Sequence, residues 1–75
     1  MDNGKYLNQA LTWFNKAVEL TPNAYWVHHQ RANCLAKLGK TADARAAAEK
    51  SKELALAAKN MDYVKLNEKL LADLK

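Results

Sequence analysis

The chain has 75 residues, of which 49% are hydrophobic and 27% charged, with a formal net charge of +4. That length allows one small core, and that balance excludes a disordered chain as well as a membrane-spanning one, since no apolar run reaches the roughly 18 residues a bilayer requires. The excess of cations is interspersed with acids (Glu49-Lys50, Lys52-Glu53, Glu68-Lys69) rather than gathered into a block, so a solvated helical surface is expected and nucleic-acid binding is not.

The first helix is expected from about Lys5 to Leu20. Leu7, Ala10, Leu11, Phe14, Ala17 and Val18 recur at three- and four-residue spacing, and Tyr6, Trp13 and Leu20 form a second stripe beside them at seven-residue steps. Thr21-Pro22-Asn23 ends it, because proline disfavours α geometry in the residue before it. The second helix is expected over about 24–38, with Ala24, Val27, Cys34, Leu35 and Leu38 on one face and Gly39 as its left-handed stop. Arg31 falls within that apolar face and must snorkel or meet a carboxylate, Glu19 and Glu53 being the candidates.

The third helix is expected over about 41–59, with Thr41 a candidate N-cap. Its stripe of small side chains (Ala44, Ala47, Ala48, Ser51, Ala55, Ala58) invites close approach by a neighbouring helix. Asn60 is the expected left-handed residue beyond it. The fourth helix is expected over about 62–74, capped by Asp62, with Tyr63, Leu66, Leu70 and Leu74 as its apolar face. Connections of a few residues force consecutive helices to lie antiparallel, so the expected fold is all-α, four helices stacked as hairpins in a single domain over 1–75.

Chemistry has little to work with. There is no glycine-rich phosphate loop and no pair of carboxylates whose spacing suggests a shared cleft, so no catalytic residue and no cofactor is expected. His28 and His29 project about 100° apart on a helix and cannot clamp one ion together, and no Cys-x-x-Cys or His-x-x-x-His spacing occurs, so no metal site is expected. Cys34 cannot form an internal disulfide and reads as a small core residue.

Ala10, Phe14, Ala17 and Pro22 stand at the small, aromatic, small and proline positions of the second helix of a tetratricopeptide repeat, a helix-turn-helix of about 34 residues, and the chain resembles that family. Leu38-Gly39 then falls at the turn of a following whole repeat and Ala44 at its small position. His28 departs from the family's frequent tryptophan, Arg31 from its leucine and Ser51 from its alanine. The resemblance implies half a repeat, one full repeat and a C-terminal capping helix. The stretch from Leu54 to Leu74 is also similar to helical C-terminal segments of larger bacterial proteins of unknown function.

The resemblance implies a non-catalytic scaffold for protein–protein interaction, binding a peptide or a partner surface; the alternative is an oligomerising or capping segment with no ligand of its own. Trp26, His29, Asn33 and Lys37 share one stripe of the second helix, where the family lines its concave groove, and are the expected partner-binding residues. Tyr6, Trp13 and Leu20 should be partly uncovered and are the expected self-association patch, with a homo-oligomer through the first helix as its consequence. The start, Met1-Asp2-Asn3-Gly4, lacks the character of a signal peptide, which points weakly to the cytoplasm.

Overall fold

The computed structural model describes residues 3–74. Four helices follow one another: α1 (Asn3–Leu20), α2 (Tyr25–Lys37), α3 (Thr41–Ala57) and α4 (Met61–Asp73). No strand occurs among the described residues, and the fold is the all-α stack of helical hairpins that the spacing predicts. Sequential neighbours pack on one another, and α2 also touches α4, so α2 sits between all three of its companions.

Each connection has a local cause. Between α1 and α2 the Ala24 N–H donates to the Thr21 carbonyl at 3.1 Å, closing a turn around Pro22. The Pro22 carbonyl, which the ring leaves as that residue's only backbone hydrogen-bonding group, accepts from His28 Nε2 at 2.8 Å. A buried histidine thus ties the turn to α2.

The next two connections share a single device. Beyond α2, Lys40 N–H donates to the Leu35 carbonyl at 2.9 Å and Gly39 N–H to that of Ala36 at 3.1 Å. Beyond α3, Asn60 N–H reaches Ala55 at 2.8 Å and Lys59 N–H reaches Leu56 at 3.0 Å. Both are Schellman closures, which need one residue in the left-handed region. Gly39 (φ 79°) supplies it in the first and Lys59 (φ 60°) in the second.

The expected left-handed residue, Asn60, therefore has a different role. It is the N-cap of α4, its side-chain oxygen accepting from Tyr63 N–H at 3.3 Å, while the expected cap Asp62 lies in the first turn. Either amide chemistry was available to Asn60, and the hydrogen bond to a free N–H decided which one it serves. Thr41 likewise begins α3, and Lys40 occupies the cap position without a side-chain bond.

A Cβ added to Gly39 would meet nothing within 4 Å, so Gly39→Ala isolates the backbone conformation from packing. We expect it to lower stability by about 1 kcal/mol, while Lys59→Gly raises it by a similar or smaller amount, both read from urea denaturation midpoints.

The core is built largely of small side chains. Ala32, Ala44, Ala47 and Ala48 are buried around Leu35, with Leu11, Leu70, Leu71 and Leu74 packed against them from α1, α4 and the C-terminal cap. Alanine on α3 lets the α2 backbone come close, and the expected small-residue stripe is what lies inside. Its end, Ala58, is exposed because α3 has already finished.

Candidate functional site

On α2 the buried residues are His28, His29, Ala32, Cys34 and Leu35, a wider arc than the one predicted from spacing. Packing against three helices buries more than one face. Val27 and Leu38, read as core, are only half-buried. Arg31 does snorkel, but its Nε donates to the side-chain oxygen of Asn15 on α1, and it pairs with neither Glu19 nor Glu53. A neutral amide one helix away costs less desolvation than a buried ion pair would.

The four residues expected to line a groove have separate surroundings. Trp26 is 49% exposed and sets its ring edge-on to Tyr25 at 5.0 Å. His29 is buried; Asn33 is half-buried; Lys37 is exposed. Two depressions flank α2. One, about 200 Å³, lies between α2 and α4 and is lined by His29, Asn33, Leu66, Lys69, Leu70 and Asp73. The other, about 160 Å³, lies between α1 and α2, with Phe14, Asn33, Cys34 and Lys37 in its wall. Asn33 borders both; His29 borders only the first, Lys37 only the second, and Trp26 neither.

Beneath the α2–α4 groove runs a hydrogen-bonded relay that the sequence reading missed. Asn67, fully buried on α4, uses both amide hydrogens, one to the Tyr63 carbonyl at 2.9 Å and one to Ser51 Oγ at 2.8 Å. Because a carbonyl can only accept, the Asn67 nitrogen is fixed on that side and its oxygen must face His29. His29 Nδ1 therefore carries a proton and donates to Asn67 Oδ1 at 2.7 Å. Ser51 in turn donates to the Tyr25 carbonyl at 2.7 Å.

The relay runs from α2 through α4 and α3 and back to α2, and no buried side-chain nitrogen or oxygen among the described residues lacks a partner. Rings seal its flank: Tyr63 stands edge-on to Tyr25 at 5.1 Å and to His29 at 5.6 Å, and the Tyr25 hydroxyl accepts from Asn60 Nδ2 at 2.9 Å. Ser51, a departure from the family's usual alanine, is the hinge of this network.

These bonds also set the rotation of α4. Its predicted apolar face was Tyr63, Leu66, Leu70 and Leu74. Val64 and Asn67 are the buried residues, Leu70 and Leu74 of the predicted face pack against the core together with Leu71, and Leu66 is 46% exposed beside the groove. The signal was present: Val64, Asn67, Leu71 and Leu74 follow a three-four-three spacing, broken only by the polarity of Asn67.

Cys34 is buried, its thiol 3.0 Å from the Leu7 carbonyl. Among the described residues, no group of three or more histidines, cysteines and acids converges as a metal site would require, and no helix is long and apolar enough to cross a membrane.

On α1, Tyr6 and Trp13 are each 73% exposed and Leu20 is 72% exposed. Two depressions follow this stripe, about 410 Å³ lined by Tyr6, Gln9, Ala10, Trp13 and Phe14, and about 240 Å³ lined by Trp13, Lys16, Ala17 and Leu20.

Antiparallel helices joined by short turns, with a first helix stacked on the next hairpin, define a helical-repeat protein. Residues 13–46, from the middle of α1 into α3, match the family model of the tetratricopeptide repeat. Over those residues the chain resembles a tetratricopeptide repeat, set within an all-α stack of helical hairpins. No curated protein and no solved structure matches it.

Proposed function

We propose that this chain is a non-catalytic scaffold for protein–protein interaction, receiving a partner segment in the groove between α2 and α4. The observation that carries the reading is the make-up of that groove: apolar Leu66 and Leu70 beside the amide of Asn33, with Lys69 and Asp73 at its border. Two apolar side chains framed by directional polar groups give a concave site both contact area and a means to fix the orientation of a bound chain. His29, held through Nδ1 by Asn67, forms a rigid part of the wall. Trp26 and Lys37 lie on the same helix to either side, one an exposed ring and one an ammonium, and extend the surface available to a longer segment.

Similarity over residues 13–46 to a repeat family whose usual role is binding supports the same reading. Lys69 shares the groove with Asn33, and Lys37 lines the neighbouring depression that Asn33 also borders, which suits a peptide ending in a carboxylate. Titrating the isotopically labelled chain with short peptides bearing acidic C-termini tests this. Amide shifts are expected at Asn33, Lys37, Leu66 and Lys69 with a change in the Trp26 indole, and Lys69→Glu should weaken binding roughly tenfold. Shifts scattered over all four helices, or none, would count against the groove.

A further inference from the structure

We infer that the exposed face of α1 is a self-complementary seam, on which a second copy of this chain docks its own α1 antiparallel. Tyr6, Ala10, Trp13, Ala17 and Leu20 follow steps of four, three, four and three residues, the repeat of a coiled-coil seam, and they alternate large with small. One repeat length further along, about 34 residues, the equivalents of Ala10, Phe14 and Ala17 are Ala44, Ala48 and Ser51. Those three are fully buried, where α3 packs against antiparallel α2. On α1 the corresponding trio is only half-buried, and the large residues Tyr6, Trp13 and Leu20 beside it are mostly in solvent.

The alternation determines which helix fits. In an antiparallel pair each large residue of one copy faces a small residue of the other. Trp13 of the second copy then enters the 410 Å³ depression around Ala10, and Tyr6 of the second copy enters the 240 Å³ depression around Ala17. Two-fold symmetry repeats both contacts. A parallel pair would instead stack Trp13 on Trp13 and alanine on alanine, overfilling some layers and leaving gaps in others.

Charge selects the register. With Tyr6 opposite Ala17, the flanking Gln9 of one copy faces Lys16 of the other, and no like charges meet. Sliding by one heptad, to put Leu20 opposite Ala10, brings the two Lys16 side chains together. Two aromatic rings of about 150–250 Å² each per copy, with Leu20 and the alanines, bring the paired seam near the roughly 1,000 Å² of a specific interface. The dimer is isologous and closes on itself. It is independent of the α2–α4 groove, which lies on other helices.

Sedimentation equilibrium of the 75-residue chain, at tens to hundreds of micromolar, is the test, with far-ultraviolet circular dichroism confirming that each variant keeps its helices. The native chain should dimerise, and Trp13→Ala should weaken the dimer at least about tenfold. Gln9→Glu places a carboxylate opposite Lys16 of the second copy at both ends of the seam, so it should tighten the dimer roughly three- to tenfold at low salt. A native chain that stays monomeric throughout overturns the proposal and leaves this face to a helix of other origin. So does a dimer indifferent to Trp13→Ala, while Gln9→Glu that weakens or fails to change association overturns the antiparallel register.

Discussion

Replacing Asn67 by alanine is expected to cost about 2–4 kcal/mol, a large share of the roughly 3–5 kcal/mol that a core of this size supplies. The substitution removes an amide that makes three hydrogen bonds at a fully buried position. The larger consequence falls on its neighbours. His29 Nδ1–H loses its acceptor, and Ser51 Oγ loses a donor between α3 and α4. An unmet buried polar group costs more than the net gain of the bond it made, so the damage exceeds a simple deletion. Thermal unfolding followed by circular dichroism should show a midpoint at least about 10 °C lower. Asn67→Asp makes a sharper comparison: its side chain can still accept from His29 but cannot donate to the Tyr63 carbonyl. It should be as damaging as alanine near neutral pH. A midpoint within two or three degrees of the native chain in both variants would show that the relay is incidental to stability.

Leu35→Ala should be comparably severe, at about 2–5 kcal/mol. Leu35 is the largest fully buried side chain of the described residues, and its neighbours Ala32, Ala44, Ala47 and Ala48 carry a single methyl each. Alanines cannot swing into the space a leucine leaves, so the site relaxes little and the cavity term adds to the lost transfer energy. Leu35→Met preserves volume and should cost less than about 1.5 kcal/mol. Urea denaturation of the pair separates the effects: a wide gap between the two midpoints indicates a cavity, and equal midpoints would mean that the core depends on leucine's shape more than its bulk. The two experiments probe one arrangement from its apolar and polar sides. Leu35 fills the space between α2 and α3, and Asn67 bonds α4 to both.

An exposed ion pair forms a useful contrast. Lys52 and Glu68 bridge α3 and α4 at 3.3 Å, but both side chains reach solvent. Such pairs contribute about 0–1 kcal/mol and weaken with salt, so the buried relay dominates the attachment of α4.

Much of the architecture was legible in the residues alone. Four helices, their order and their antiparallel stacking follow from apolar spacing, from Pro22 and Gly39, and from connections too short for anything else. Gly39 was recognisable as a left-handed stop because only glycine enters that region without strain. The small-residue stripe of α3 announced a close helix contact, and Tyr6, Trp13 and Leu20 announced an uncovered face. These features are local or periodic, so a chain read one residue at a time contains them.

What the tertiary structure decided concerns the choice among polar partners and the rotation of helices about their axes. Asn60 could cap one helix or terminate another; Lys59 took the terminating role once Asn60 accepted the Tyr63 N–H. Arg31 had two plausible acids and bonded to Asn15, because the packing of α1 on α2 brings that amide within reach. His29 was read as part of an open stripe, and Asn67 drew it inside. Periodicity measures apolar area and is blind to directed bonds formed between residues far apart in the chain. A buried asparagine reverses the usual preference for solvent when donors and acceptors on two other helices converge on it, and that convergence exists only after the helices have packed.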